Sequence, residues 1–388
     1  MNESHFTANW NYPTAIRAGV GRISELADAC HSLGIKAPLL VTDPGLADLP
    51  MLQQSLAACS KAGLRCGLFS RIKGNPTAKN ISDGVLVFNE GKHDGVIAFG
   101  GGSALDAGKA IAFMSGQSVE LWAFEDVGDN WSKAISRGIA PIVAVPTTAG
   151  TGSEVGRVAV ITDEAKQLKK LIFHPKILPS IVILDPQLTV GLPSQLTAAT
   201  GMDALSHNLE AYCSPSYHPM AAGVAVEGMR LIKNYLPLAV AQGDILEARM
   251  QMLVASTLGA TAFQKGLGAM HALAHPLGAL YDAHHGMLNA ILMPYVLQAN
   301  RPAIEQKIIR LALYLDLPGS FAAFLQWVLD LRQQVGIPAT LAGIGINSTQ
   351  AELLGSMAAE DPSAGSNPVA FTAEQYRQLF VRAVEGVL

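Results

Sequence analysis

At 388 residues the chain is longer than one ordinary core supports, and 49% hydrophobic against 15% charged residues supplies enough apolar material for two packed domains. A formal charge of -4, with KQLKK at 166–170 as the densest basic cluster, argues against a nucleic-acid footprint, and no apolar run is long and unbroken enough for a membrane span. The N-terminal MNESHFTANWNYP lacks a secretory pattern and Cys30, Cys59, Cys66 and Cys213 form no CxxC pair, so reduced thiols and a cytoplasmic location are expected.

In chain order, PTAIRAG (13–19) reads as a first strand and 23–33 as a first helix. APLLVTD then forms a strand ending at Asp43, 46–62 a helix, CGLFS a strand, and NPTAKNISDG an N-cap-like start to a further helix. DGVIAFGGGSALDAGKAIAFM repeats strand, glycine turn and helix, and the alternation continues to about Leu184. This pattern predicts an α/β N-terminal domain with a mainly parallel, Rossmann-like sheet. From Pro193 the chain changes to helical segments at 193–213, 218–235, 244–262, 266–281, 303–316, 320–334 and 373–386. The expected organisation is a dinucleotide-binding domain over 1–189 and an all-helical metal- and substrate-binding domain over 190–388.

Gly100, Gly101, Gly102 and Ser103 close the strand VIAF and open a helix, where bare N–H groups and the helix dipole favour a phosphate. Leu105 stands where a Rossmann fingerprint needs its third glycine, and no P-loop can be drawn, so the turn alone reads equally as a tight structural turn. A second loop, Pro146 to Glu154, follows the strand PIVAV, and two such loops at the carboxyl edge of a parallel sheet together favour a dinucleotide. Asp43, past an earlier strand, can accept from both ribose hydroxyls and repel a 2′-phosphate, or be a plain turn residue before Pro44.

Between Gly201 and Gly286, potential metal ligands fall in two groups, GMDALSHNLEAY and GAMHALAHPLGALYDAHHG. Asp203 and His207 are four apart, as are His271 and His275, and on a helix that spacing stacks two side chains on one face. Three imidazoles and a carboxylate suit Fe(II) or Zn(II) with positions left open for a substrate.

With these pieces placed, the whole chain resembles the iron-dependent (group III) alcohol dehydrogenases, in a superfamily with glycerol dehydrogenases and dehydroquinate synthases. The resemblance is carried by GGGSALDAGK, VPTTAGTGSEV, VITDEAKQLKK, ATGMDALSHNLEAY, GAMHALAHPLG and HHGMLNA. It implies Asp203, His207, His271 and His285 as ligands, His285 over His284 because the family's ligand directly precedes the glycine. It implies a substrate-site role for His275 as a proton-passing catalytic residue. Implied cofactor contacts are Asp43, Asn75, Gly101, Gly102, Ser103, Asp106, Thr147, Thr148, Thr151, Lys169 and Leu188.

The activity so implied is NAD(H)-linked hydride transfer, in preference to NADP(H), between a primary alcohol and its aldehyde at an interdomain metal site holding one divalent cation, Fe(II) before Zn(II). The alternatives are an ω-hydroxy acid (4-hydroxybutyrate-like) dehydrogenase or a zinc-dependent polyol dehydrogenase on the same fold. A homodimer or higher homo-oligomer is expected, with FTANWNYP as an arm packed near a partner subunit. Two segments depart from the family pattern. AFQKGLG is one residue short and carries Lys265, read either as a partner for a substrate carboxylate or as a solvent-facing loop residue, and Asn367-Pro368-Val369 stands where NPR is usual.

Overall fold

Strands apolar at every position, such as PLLV and IVIL, can be stable only where both faces are covered, which is the signature of a parallel sheet flanked by helices. In the computed structural model, which describes residues 14–388, they lie in such a sheet; the FTANWNYP arm lies outside the described residues. The chain divides into two compact units, one taking the described residues up to Thr148 together with Gly152–Gly191, the other taking Ala149–Thr151 and Leu192–Leu388.

In the first unit β1 (Ala15–Ala18), β2 (Pro38–Val41), β3 (Gly67–Phe69), β4 (Gly95–Gly100), β5 (Ile142–Pro146) and β8 (Ile181–Leu184) form a six-stranded parallel sheet in the order β1-β8-β5-β4-β2-β3. The connecting helices are α1 (Leu26–Ser32), α2 (Pro44–Ala47), α3 (Pro50–Lys61), α4 (Ala78–Glu90) and α5 (Gly102–Met114). Pro50 disfavours helical geometry at Leu49, which divides the expected 46–62 helix into α2 and α3. The chain runs from β2 outward to β3 and then crosses to β4 on the other side of β2, so the connections diverge between β2 and β4. In sheets of this kind ligands bind beyond the carboxyl ends of the strands at that point. A separate antiparallel hairpin, β6 (Val158–Asp163) with β7 (Leu168–Phe173), precedes β8.

The second unit is helical: α6 (Ser194–Cys213), α7 (Pro219–Ala241), α8 (Leu246–Ala262), α9 (Ala269–Tyr281), α10 (His285–Tyr314), α11 (Phe321–Gln334), α12 (Ala351–Glu360) and α13 (Ala373–Glu385). Helix α6 is its centre, with every residue from Thr197 to Cys213 buried. A helix covered on all sides must find partners for its polar residues, so Asp203, His207, Asn208 and Glu210 cannot be solvated surface groups. The sequence reading placed a helix only from 303. In the structure α10 begins at His285 and runs through Pro294 and Pro302, because burial of Leu288, Ile291, Leu292 and Tyr295 outweighs the hydrogen bonds those prolines remove.

Candidate metal centre and dinucleotide loops

Among the described residues, Asp203, His207, His271 and His285 form a group whose ligand atoms all lie within 4.8 Å of one another. The first two stand one turn apart on α6, the third is in the first turn of α9, and the fourth is the first residue of α10. The structure separates His284 from His285 by role. His284 is the N-cap of α10, its Nδ1 accepting from the Met287 N–H at 3.3 Å, while His285 Nε2 lies 3.7 Å from Asp203 Oδ1.

The donor atoms are set by fixed partners. Gly150 O, which can only accept, lies 3.2 Å from His207 Nδ1, so that nitrogen carries the hydrogen and Nε2 keeps its lone pair. His271 Nδ1 lies 2.7 Å from Glu210 Oε2. Burial, followed by the neighbouring His207, holds the His271 pKa well below its ordinary value, so the ring stays neutral and suited to ligation.

Asn289, fully buried one turn into α10, tests whether the group suits a cation. Its Nδ2 lies 2.8 Å from Asp203 Oδ1, 3.1 Å from His285 Nε2 and 3.2 Å from His271 Nε2, so two hydrogens face three acceptors. Its Oδ1 finds no hydrogen-bond partner among the described residues. The four ligand candidates thus converge with more lone pairs than the local donors satisfy, and a divalent cation fits them. With one carboxylate against three neutral imidazoles the set retains net positive charge around such an ion, favouring Fe(II) or Zn(II).

His275, one turn beyond His271, stacks on His285 with ring centroids 5.6 Å apart. Its Nδ1 lies 2.8 Å from Asp361 Oδ2. Burial works against the Asp361 carboxylate, but His275 and the Ser363 N–H outweigh it and hold its pKa below the ordinary value. Nδ1–H therefore donates to Asp361.

Two residues of this centre, Glu210 and Asn289, were not singled out from sequence. For Glu210 the signal was present, since 203, 207 and 210 follow the i, i+4, i+7 spacing of one helix face. Asn289 is likewise four residues after His285.

Lys265 matches neither reading given above. It is 7% exposed, and its Nζ donates to Tyr212 O at 3.0 Å, while Lys307 Nζ donates to Cys213 O and Ser214 O. Two lysines thus close the carbonyl end of α6, where the helix dipole favours positive charge. Burial first and Lys307 second push the Lys265 pKa down to about 8. Asn367, in the departing NPV segment, accepts from the Ala269 N–H at 3.0 Å and pairs its amide with that of Asn300.

In the first unit, Asp43, Gly101, Gly102, Ser103, Thr147 and Thr148 gather at the carboxyl ends of the adjacent strands β2, β4 and β5. Gly100 has φ 142°, and a Cβ there would lie 2.8 Å from Ala104 Cβ and 3.4 Å from Asp43 Oδ2, so the turn demands glycine and Asp43 faces it. Asp43 also caps α2, accepting from the Leu46 N–H at 3.2 Å. Gly101 opens α5 without a side-chain cap, leaving the first N–H groups of that helix for an anion.

Ser103 Oγ donates to Gly74 O, drawing the loop of Asn75 to the glycine turn, and Lys169 pairs across the hairpin with Thr162, which bridges to Thr77. Asp106 is occupied within the protein, accepting from Ser153 Oγ and the Val160 N–H and pairing with Lys109. Leu188 is buried in the apolar core, and Thr151 belongs to the Ala149–Thr151 segment of the helical unit.

The iron-containing alcohol dehydrogenase family matches residues 13–186, and the C-terminal family of Fe-containing alcohol dehydrogenases matches residues 197–384. The chain is 36% identical over 383 residues to a 4-hydroxybutyrate dehydrogenase of Cupriavidus necator, covering 96% of this chain and 99% of that one. It is 34% identical over 384 residues to an NAD-dependent methanol dehydrogenase of Bacillus methanolicus, covering 97% and 100%. Among solved structures, a 1,3-propanediol oxidoreductase superposes with a TM-score of 0.91 at 35% identity, covering 97% of this chain and all of the other. The two domain matches, spanning nearly the whole chain, show that it belongs to the iron-containing alcohol dehydrogenase family.

Proposed function

We propose that Asp203, His207, His271 and His285 hold one divalent metal, iron in the first place, and that the helical domain built around them serves NAD(H)-linked interconversion of a small primary alcohol and its aldehyde. As a member of its family the chain is an oxidoreductase acting on alcohols with a nicotinamide cofactor. The observation that carries the metal assignment is the clustering of one carboxylate and three imidazoles with their ligand atoms within 4.8 Å of one another, three of the four facing a buried amide with too few hydrogens to satisfy them. A bound divalent cation supplies Lewis acidity, lowering the pKa of an alcohol and polarising an aldehyde carbonyl.

The chain's own residues do the rest. Gly150 O orients His207, Glu210 orients His271, and Asp361 holds His275 with Nε2 presented to accept a proton from the alcohol or return one to the aldehyde. In the α/β domain, the open start of α5 offers N–H groups to a pyrophosphate, with Thr147, Thr148 and Asn75 on neighbouring loops and Lys169 on β7 of the hairpin. Asp43 offers carboxylate oxygens to the adenosine ribose. Assembly as a homodimer or larger homo-oligomer and a cytoplasmic location belong to the same reading. No helix among the described residues is long and apolar enough to cross a membrane.

The test of the cofactor assignment is Asp43→Gly. Losing the cap on α2 to glycine costs only a few tenths of a kcal/mol, whereas removing the charge relieves repulsion of a 2′-phosphate. The expected result is a rise of at least several-fold in kcat/KM with NADP(H). Wild-type protein that used NADP(H) as well as NAD(H) would reduce Asp43 to its capping role.

An ω-hydroxy acid, the substrate class in the name of the Cupriavidus relative, fits the same reaction, but Lys265 is not placed to recognise its carboxylate. Its Nζ is engaged at the end of α6. Lys265→Met should therefore leave the ratio of kcat/KM for 4-hydroxybutyrate over 1-butanol within about twofold of wild type. A selective loss for the acid would put the ammonium at the substrate.

A further inference from the structure

We infer that Glu210 is a positioning residue whose one carboxylate both fixes the His271 ring for metal binding and caps the N-terminus of α9; the inference rests on the metal reading above. Helix α9 begins Gly-Ala-Met, and its N-cap, Gly268, supplies no side-chain hydrogen bond. A helix that starts inside the protein without a local cap leaves its first N–H groups unpaired unless another element reaches them. Glu210 reaches them from α6. Its Oε2 accepts from the Gly268 N–H at 2.8 Å and its Oε1 from the Met270 N–H at 2.7 Å, while the intervening Ala269 N–H goes to Asn367 Oδ1.

The same Oε2 meets His271 Nδ1 at 2.7 Å. Glu210 is 5% exposed, so water does not substitute for any of these contacts. The two oxygens of this one carboxyl group face three N–H groups. With Nδ1–H held this way, His271 Nε2 keeps its lone pair toward Asp203 and His285, the state a metal ligand requires. The first turn of α9 cannot rotate out of place without breaking the His271 bond, and the ring cannot change tautomer without facing a carboxylate with a bare lone pair.

A glutamine of the same shape fails by construction, because it offers one acceptor oxygen. Whichever way its amide is turned, its NH₂ confronts the Met270 N–H or the Gly268 N–H. In the second orientation it also favours His271 with the hydrogen on Nε2, the tautomer that cannot bind metal through that atom.

The experiment compares zinc affinity by chelator competition in wild type, Glu210→Gln and Asn367→Ala, with thermal denaturation of each metal-free protein alongside. Glu210→Gln should bind zinc about 10- to 100-fold more weakly. Asn367→Ala, which uncaps the same helix end without touching His271, should change affinity less than about threefold. Equal affinity in wild type and Glu210→Gln, or an equal fall in both variants, would overturn the proposal.

Should Glu210→Gln not fold, ¹⁵N-histidine NMR of the zinc-loaded wild type decides. A protected Nδ1–H on His271 is expected, and a His271 ring lacking it would overturn the assignment. Wild-type protein that takes up no zinc or iron would instead remove the metal reading itself, a result distinct from either of these.

Discussion

Asp203→Ala should leave the protein with far less than one metal per chain and lower kcat by about three orders of magnitude or more, since it removes the anion among four ligands and with it the Lewis acid. The carboxylate also takes the 2.8 Å hydrogen bond from Asn289, so its loss leaves that amide facing the imidazoles without a charge to hold it. His271→Ala should behave alike. The discriminating partner is His284→Ala, whose side chain caps α10 and lies outside the ligand group; it should cost about 0.5–2 kcal/mol of stability and leave metal content near normal. Full metal occupancy in the Asp203→Ala protein would contradict the ligand assignment.

Gly286→Ala should be nearly as damaging for a different reason. At the start of α10 the backbone crosses α6 so closely that a Cβ on Gly286 would lie 2.4 Å from Ala199 O and 3.0 Å from Asp203 Cβ. One obstacle is backbone that cannot turn aside, so the helices must part, and parting them separates His285 from Asp203. Overpacking of this kind costs about 1–3 kcal/mol. Metal affinity should fall by at least about tenfold, because ligands must be held within roughly 0.5 Å of their working geometry. Gly223→Ala, in a helix where an added Cβ meets nothing within 4 Å, is the control and should gain about 0.4–1 kcal/mol. Equal thermal stability and equal metal affinity in the two variants would show that the crossing tolerates a methyl group.

What the sequence carried and what it withheld follow from the range over which each signal acts. The strand-helix alternation up to Leu184 and the change to helices after Pro193 are local patterns, and the sheet and helical unit follow them. Helix α10 was cut short because proline is a local breaker, whereas the burial that overrides Pro294 and Pro302 is tertiary. The helix spacings pointed to Asp203, His207 and His271, but only the fold shows that His285 begins α10 while His284 caps it.

Glu210 was passed over because a glutamate in a helix normally faces water. Nothing local says that α6 is covered on every side or that α9 lacks a cap of its own. Lys265 misled for the same reason in reverse, since its partner is a backbone carbonyl distant in sequence, a class of contact invisible to residue type. Asp106 sits beside the glycine turn as expected, yet its oxygens are taken by Ser153, Val160 and Lys109.

The most direct measurement is reconstitution. Metal is stripped with a chelator, Fe(II) is returned without oxygen in increments, and oxidation of 1-butanol is followed through the absorbance of the reduced nicotinamide. Turnover should be lost in the stripped protein, return in proportion to iron bound, and saturate at one ion per chain, with NAD⁺ a better acceptor than NADP⁺. Undiminished turnover in metal-free protein, or iron bound at Asp203, His207, His271 and His285 without any alcohol oxidation, would contradict a metal-dependent alcohol dehydrogenase built on these four residues.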